Sequence, residues 1–215
     1  MIYLSQLVLD PASRQVRSEL ADPYQMHRTL SKAFGDAEGE LAQARPLFRV
    51  IEGRDCGLKV LVQSRTAPAW DRLPKSGSYL VEPPTVKALD ISFHVGQRLR
   101  FHLRGNPTGR RIFGDPAPGQ KPSGKRVGVY GEQAQRDWLD RKATENGFRV
   151  LSCMVSERGF QTSRKSPGSP VMRHLCVDFD GILEVTEPEL FLDALQSGIG
   201  SAKGLGFGLL SVARA

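Results

Sequence analysis

The stretch RLRFHLR, residues 98–104, alternates strictly between apolar and basic or imidazole side chains. Leu99, Phe101 and Leu103 fall on one face of such a strand, and the arginines and the histidine fall on the other. This period of two predicts a half-buried β-strand whose second face is cationic. The Gly-Asn-Pro sequence at 105–107 ends the strand, because these residues favour turns.

The residues after this strand predict a helix, two strands, a second helix and a last strand. These predicted elements cover residues 132–145, 148–155, 171–185, 187–196 and 209–212, with a basic loop at 156–170. The resulting order, β-α-β-β-α-β, is that of a ferredoxin-like domain.

The first half of the chain predicts the same order of elements. Strands are expected at residues 2–9, 47–51, 58–63 and 79–81, helices at 13–20 and 24–34, and a weaker element at 70–73. Asp22 and Pro23 form an N-cap and first-turn pair for the second helix, and Gly35 ends it. We therefore expect an α+β fold of two tandem ferredoxin-like (βαββαβ, RRM-like) domains, residues 1–90 and 91–215.

Composition narrows the possible classes of protein. The 215 residues carry 30 Lys and Arg against 23 Asp and Glu, a net charge of +7. No apolar run approaches the length of a membrane span, and the N-terminus lacks the basic start of a signal peptide. Three cysteines without CxxC spacing disfavour both a disulfide framework and a zinc ribbon. The expectation is a cytoplasmic protein with reduced thiols and an anionic partner.

The positive charge is concentrated. Residues 97–126 contain eight basic residues and one acidic residue, a surplus equal to the net charge of the whole chain. The basic residues are Arg98, Arg100, Arg104, Arg110, Arg111, Lys121, Lys125 and Arg126. A second basic stretch covers 156–173, whereas 175–196 contains six acidic residues and no Lys or Arg. This predicts one positive and one negative face, and the positive one fits phosphate binding and a merely solvated surface equally well.

The predicted helix at 24–34 carries a candidate catalytic group. Tyr24, His27, Arg28 and Ser31 share one side of the helix through their i, i+3, i+4, i+7 spacing, with Lys32 one turn beyond Arg28. A histidine beside a phenol and cations can act as a general acid or base. A solvated helix face with a chance histidine is the alternative. No carboxylate pair or metal-ligand cluster accompanies the histidine, so metal-dependent nuclease chemistry is disfavoured.

Residues 198–208 contain five glycines in eleven residues. Glycine at this density allows backbone N–H groups to approach an anion closely, and it also allows tight turns with positive φ. The spacing does not match a Walker A motif. A tight turn and an RNA- or helix-contacting loop both fit this segment.

Several motifs occur together in one order along the chain. They are YLSQLVL-x-P-x-SR, DPYQMHRTLSKAF, QRLRFHLRGNP, GKRV and GIGSAKGLGFGLLSVA. Jointly they resemble the CRISPR-associated precursor-RNA endoribonucleases of type I-E systems, the CasE/Cse3 family of the RAMP superfamily. The resemblance covers nearly the whole chain and implies tandem ferredoxin-like domains.

The resemblance also implies a chemistry. Members cut the repeat RNA at the 3′ base of its hairpin without metal or cofactor, by attack of the 2′-hydroxyl, leaving a 5′-hydroxyl and a 2′,3′-cyclic phosphate. His27 matches the catalytic histidine and Tyr24 its tyrosine partner, with the acid or base role of His27 left open. Arg28 and Lys32 would hold the scissile phosphate.

The expected RNA contacts combine the resemblance with charge placement. The loop containing Arg158, Arg164 and Lys165 is expected to enter the groove of the RNA hairpin. The strand face of Arg98, Arg100 and Arg104, together with Lys125 and Arg126, is expected to support the stem, and Lys203 is expected to act on the side of the glycine-rich loop. Roles for Arg110, Arg111 and Lys121 are guesses.

The expected partners are the CRISPR repeat RNA hairpin, the mature crRNA and other Cascade subunits, with no membrane and no directly bound DNA. A non-catalytic hairpin-RNA-binding subunit is the alternative function. For both functions the second domain should mainly bind RNA. If the protein is an endoribonuclease, the N-terminal domain should mainly cut it.

Overall fold

The chain forms two four-stranded antiparallel sheets, one from each half. The computed structural model describes residues 1–35, 38–53, 57–73, 79–112, 124–166 and 168–215. The first half contains β1 (Ile2–Val8), α1 (Arg14–Ala21), α2 (Pro23–Ser31), α3 (Glu38–Ala44), β2 (Leu47–Gly53), β3 (Gly57–Ser64) and β4 (Thr85–Leu89), with 3-10 turns at Lys32–Phe34 and Trp70–Arg72. Its sheet has the order β2-β3-β1-β4.

The second half contains β5 (Arg98–Gly105), β6 (Thr108–Ile112), β7 (Gly124–Gly128), α4 (Glu132–Glu145), β8 (Phe148–Ser163), β9 (Met172–Val185), α5 (Pro188–Ser197), a 3-10 turn (Lys203–Leu205) and β10 (Leu210–Arg214). Its sheet has the order β10-β5-β9-β8, and β6-β7 is a separate two-stranded ribbon. The central strands are β1 and β3 in the first sheet and β5 and β9 in the second, and the edge strands are β2 and β4, and β8 and β10. This is the ferredoxin-like arrangement, and the expected fold class is confirmed.

Helix α2 starts and stops for the reasons the sequence gives. The Asp22 carboxylate accepts a hydrogen bond from the backbone N–H of Tyr24 at 3.1 Å, and Pro23 occupies the first turn. Gly35 follows the 3-10 turn with φ of +98°, a value that favours glycine. Met26 and Leu30 face the core, which leaves His27 on the other side.

The fourth strand of the first sheet differs from the prediction. Tyr79–Val81 was expected to be this strand, but only Leu80 forms an isolated bridge, to Leu9. The strand is instead β4, whose residues are mostly exposed at the sheet edge and therefore show no apolar alternation. Tyr79 is fully buried, and its hydroxyl donates to Glu19 at 2.6 Å, so its apolar character serves the core.

The basic segment after residue 155 is mostly strand, not loop as predicted. Strand β8 continues to Ser163 and pairs with β9 up to Met172, with a register shift between Glu157 and Phe160. Gly159 at this irregularity has φ of +81°, and such β-bulges let a strand bend and continue. The hairpin is therefore long, with residues 164–171 joining its two strands.

The two halves have separate apolar cores. Leu7, Val60 and Tyr79 belong to one core, and Leu103, Phe179 and Phe191 belong to the other. Residues 91 and 93, both apolar, pack against the second core. We therefore propose that the first domain ends at residue 90 and the second begins at residue 91.

Cys153 and Cys176 are free thiols, and Cys56 lies outside the described residues. Within the described ranges, no helix has both the length and the apolar character needed to cross a membrane.

Candidate active site and basic surface

Helices α1 and α2 border an open groove that contains His27. Its volume is about 1140 Å³. The polar residues that line it are Arg14, Gln15, Ser18, Glu19, Tyr24, Gln25, His27, Arg28, Thr29, Ser31 and Lys32. Every member of the set predicted from helical spacing is present, so the structure brings Tyr24, His27, Arg28 and Lys32 together.

His27 lies between this groove and the glycine-rich segment. A Cβ added at Gly204 would be 3.4 Å from Cε1 and 3.5 Å from both ring nitrogens of His27, so the backbone of residue 204 lies against the imidazole. Partial burial lowers the pKa of His27 below its usual value of 6.5. Burial therefore favours the neutral imidazole in the free protein, the form that can accept a proton.

Tyr24 is held by the second half of the chain. It packs against the small cluster of Cys176, Leu205 and Phe207. Its hydroxyl-bearing side chain also lines the groove beside His27. The glycine-rich segment thus contacts both residues expected to act on the substrate.

The glycine-rich segment is a series of turns packed on the first half. Four of its five glycines have φ between 73° and 85°, and Gly204 is the exception. At Gly206 an added Cβ would be 3.3 Å from the Phe48 ring on β2. The structure agrees with the tight turn and with the contact to a helix that the sequence predicted for this segment. Contact with an RNA backbone stays a prediction.

The β8-β9 hairpin reaches the start of α2. The backbone N–H of Arg164 lies 3.4 Å from Oδ1 of Asp22, the residue that caps α2. The side chains of Arg164 and Lys165 are exposed. The end of β8 therefore carries two exposed cations to the N-terminus of the helix that bears His27.

Asp178 on β9 binds two of the predicted RNA-contacting arginines. Its carboxylate accepts from Arg104 at 2.7 and 3.0 Å and from Arg158 at 3.0 Å. The Asp178 side chain is 3% exposed, Arg104 27% and Arg158 60%. Burial raises the pKa of Asp178, but the hydrogen bonds and charges of these arginines outweigh burial and hold it below its usual value. Arg104 is mainly a structural ion-pair partner, whereas Arg158 keeps an exposed edge.

The predicted separation into a positive and a negative face is wrong for the second sheet. Strands β5 and β9 are neighbours, and their register places Arg98 opposite Glu184, His102 opposite Asp180, and Arg104 opposite Asp178. Each of these pairs is within 3.5 Å. Charge counting along the chain could not show this, because it takes no account of which strands are neighbours.

The remaining predicted cations differ in their engagement. Exposed side chains belong to Arg28, Lys32, Arg98, Arg100, Lys125, Arg126, Arg164 and Lys165. Lys203 instead donates to the carbonyl of Ser197 at 2.8 Å, at the end of α5, and burial lowers its pKa. Lys121 lies outside the described residues.

The β6-β7 ribbon concentrates positive charge. Arg110 lies opposite Arg126, and Arg111 lies opposite Lys125. Like charges directly opposite each other destabilise a strand pair. The ribbon therefore places four basic residues on two paired strands.

Sequence reasoning missed Arg14 and the network around Glu19. Arg14 is exposed and adds a third cation to the groove, after Arg28 and Lys32. Glu19 is 3% exposed and accepts from Thr29 on α2 and from Tyr79, each at 2.6 Å. The Glu19 network therefore links α2 to the core. In the sequence, the only signal for Arg14 was its i, i+3 spacing to Arg17, which places two cations on one side of α1. Among the described residues, no group of three or more His, Cys, Asp or Glu side chains is placed to hold a metal ion.

The fold and site place the chain in the class of tandem ferredoxin-like proteins with a histidine-bearing helix in the first domain and a glycine-rich ending. A family model described as CRISPR associated protein matches residues 2–214. The chain belongs to this family.

Three relatives show how close the match is. The CRISPR-associated endoribonuclease Cse3 of Thermus thermophilus is 41% identical over 99% of this chain and 100% of its own length. The CRISPR system Cascade subunit CasE of Escherichia coli is 29% identical over 99% of both chains. A structure of CRISPR endoribonuclease Cse3 bound to 19 nt RNA superposes with a TM-score of 0.82 at 38% identity, covering 98% of this chain and 99% of that one.

Proposed function

We propose that this protein is a metal-independent endoribonuclease that cuts CRISPR repeat RNA at the 3′ base of its hairpin. The observation that carries the proposal is the position of His27, in a groove with three cations and against the backbone of Gly204. The similarity to an endoribonuclease and to a Cascade subunit supports the same activity.

The proposed reaction is an internal transesterification. The 2′-hydroxyl oxygen attacks the adjacent phosphorus, and the bond from phosphorus to the 5′-oxygen breaks. One product then ends in a 2′,3′-cyclic phosphate and the other begins with a 5′-hydroxyl. Burial favours the neutral form of His27 in the free protein, so we assign it as the base that takes the proton of the 2′-hydroxyl. A phenol is protonated at neutral pH, and Tyr24 supplies a proton to the leaving oxygen.

The cations serve the developing charge. Negative charge increases on the phosphate oxygens as the pentacoordinate transition state forms, and fixed positive groups stabilise that state more than the ground state. Arg28 on α2 and Lys32, the first residue of the 3-10 turn that follows α2, both line the groove. Arg14 on α1 lines the same groove and we add it to this set.

The β8-β9 hairpin is the element proposed to enter the RNA. The major groove of A-form RNA is deep and narrow, so side chains reach it only from a thin element. Arg164 and Lys165 are exposed just past the end of β8, beside the start of α2. An RNA hairpin bound by these two residues would have the foot of its stem close to His27. Arg98, Arg100 and the β6-β7 ribbon are proposed to contact the stem, and the product is proposed to remain bound within Cascade.

The activity is tested with a labelled repeat hairpin in EDTA. Wild-type protein should cut it, and His27→Ala should bind without cutting. His94→Ala is the matched control, because His94 is an exposed histidine that does not line the groove. Replacing the 2′-hydroxyl next to the cut by hydrogen should abolish cleavage and leave binding intact. A requirement for magnesium, or cleavage by His27→Ala, would contradict the mechanism, and binding without any cleavage would favour a non-catalytic RNA-binding subunit.

A further inference from the structure

A second cavity lies between the β6-β7 ribbon and the β8-β9 hairpin, and the mechanism above does not use it. Its volume is about 250 Å³. The residues that form it are Asn106, Thr108, Arg126, Val127, Gly128, Tyr130, Phe160, Arg173, His174, Leu175, Ser201 and Ala202. The glycine-rich segment connects the two sites, because Ser201 and Ala202 line this cavity while Gly204 contacts His27.

Planar groups border the cavity. The guanidinium carbon of Arg173 lies 3.7 Å from the centroid of the Phe160 ring. The Tyr130 ring lies 6.4 Å from Phe160, centroid to centroid. All three side chains are exposed, Tyr130 at 58% and Phe160 at 42%. Nucleic-acid bases stack on aromatic rings and on guanidinium groups such as these.

The charge of the cavity has one sign. Arg126 and Arg173 line it, and no carboxylate does so among the described residues. Ion pairs within the described ranges engage neither arginine. The cavity thus offers cations for a phosphate beside planar groups for a base.

Hydrogen-bonding groups line the inner side of the cavity. The Asn106 amide nitrogen is 3.2 Å from Oγ of Ser201 and 3.3 Å from Nδ1 of His174. Asn106 is 5% exposed, and Nε2 of His174 is buried without a hydrogen-bond partner among the described residues. Polar groups of this kind fix the orientation of a ligand in a pocket.

We infer that this cavity binds one unpaired nucleotide of the RNA that flanks the hairpin. The inference rests on the proposed function. A base inside the stem has both faces covered by its neighbours, whereas an unpaired base can turn one face to Arg173 and the rings. A volume of about 250 Å³ is smaller than the roughly 300–1,000 Å³ of pockets for drug-sized ligands and suits a single base. A strand whose phosphate lies at His27 can follow residues 201–204 into the cavity.

Two variants and one matched control test the inference. Phe160→Leu removes the ring, and Arg173→Gln removes the stacked cation. Arg141→Gln is the control, because Arg141 is exposed on α4, does not line the cavity and loses the same charge. Each protein is titrated with two RNAs that carry 2′-deoxyribose at the cut, one with single-stranded flanks and one a blunt-ended hairpin.

Both cavity variants should bind the flanked RNA about 10-fold more weakly, within the range for loss of one base–aromatic stack. Phe160→Leu should bind the blunt hairpin as wild type does, and Arg173→Gln should bind it as Arg141→Gln does, which also shows that both variants are folded. Arg141→Gln should change the two affinities by the same factor. A 2-aminopurine placed in the flank should lose fluorescence on binding to wild type and regain it with Phe160→Leu.

Equal effects of Phe160→Leu on flanked and blunt RNA, or none on either, would overturn the inference. Unchanged RNA affinities combined with failure to assemble with Cascade subunits would also overturn it and would assign the cavity to a protein contact. Absence of wild-type binding to either RNA would instead refute the proposed function, so the two failures are distinguishable.

Discussion

Replacing Asp178 by alanine tests how far its ion pairs stabilise the folded protein. Asp178 accepts three hydrogen bonds from arginines, two from Arg104 and one from Arg158. Arg49, on β2 of the other sheet, is 8% exposed and lies within the electrostatic reach of both Asp178 and Arg104. Its pKa is lowered to about 10 by burial and by the charge of Arg104, against the opposing effect of Asp178. Without Asp178, buried Arg49 and partly buried Arg104 lose a shared counter-charge.

The magnitude follows from the burial of each partner. Removing one member of a buried ion pair costs about 3–5 kcal/mol, because the other charge stays buried. Arg104 is 27% exposed and recovers some hydration, so the low end applies, about 3 kcal/mol. Arg158 is 60% exposed and adds at most ~1 kcal/mol. For a chain of this size 1 kcal/mol shifts Tm by about 2–4 °C, so a total loss of about 3–4 kcal/mol should lower Tm by roughly 6–16 °C.

The assay is thermal unfolding of wild type, Asp178→Ala and Glu184→Ala. Glu184 is the matched control, since it lies on the same strand and also binds two arginines, Arg98 and Arg149. Those arginines are 67% and 63% exposed, so this loss should cost less than about 1 kcal/mol. Equal shifts in Tm for the two variants would refute the reasoning.

The pH dependence gives a second check. The folded-state pKa of Asp178 is below its usual value, so its stabilisation is fully present above the unfolded pKa of about 4. It is lost as the pH falls through the folded-state value. The Tm difference between wild type and Asp178→Ala should therefore be constant from about pH 5 to 7 and should narrow below about pH 4. A difference that grows with acidity would contradict the assigned cause.

Four further results are expected. The rate of single-turnover cleavage should rise with pH, with a midpoint below 6.5, and then level off, because burial lowers the pKa of His27 and the neutral form is the base. A rate that falls as the pH rises would make His27 the acid. Gly204→Ala should cut normally, since a Cβ 3.4 Å from the imidazole is in ordinary contact, whereas Gly204→Leu should cut at least ~10-fold more slowly with hairpin binding retained. Tyr79→Phe should lower the free energy of unfolding in urea by about 1–2 kcal/mol, because the buried Glu19 carboxylate loses a donor. Arg164→Ala should reduce the salt dependence of hairpin binding by about one phosphate contact, and an unchanged slope would place this side chain away from the RNA.

Local patterns predicted most of the fold because the elements that carry it are half-buried. The alternation predicted a strand at 98–104, and β5 covers Arg98–Gly105. The Asp22 cap predicted a helix that starts just after it, and α2 starts at Pro23. Strand β4 was missed because an exposed edge strand has no apolar side to alternate, and α3 was not predicted. The length of the β8-β9 hairpin was missed because a bulge at Gly159 interrupts the pattern.

The candidate site was predictable where it lies on one helix and not where it depends on the fold. Helical spacing alone placed Tyr24 and His27 together, and the structure agrees. The contact of Gly204 with His27 joins residues far apart in sequence, which only tertiary structure can show. The pairing of Arg104 with Asp178 likewise depends on strand order, so a count of charges overstated the cations available to RNA.

The division into a cutting domain and a gripping domain does not follow from the positions of the contacts. His27 belongs to the first half, but the backbone against its ring comes from Gly204 in the second. Tyr24 packs on Leu205 and Phe207, and the cap of α2 touches Arg164. Because the second half forms part of the surroundings of both proposed catalytic groups, an RNA gripped by that half is also positioned against them. The two halves together make one site, and the first half alone would lack the walls that orient His27 and Tyr24.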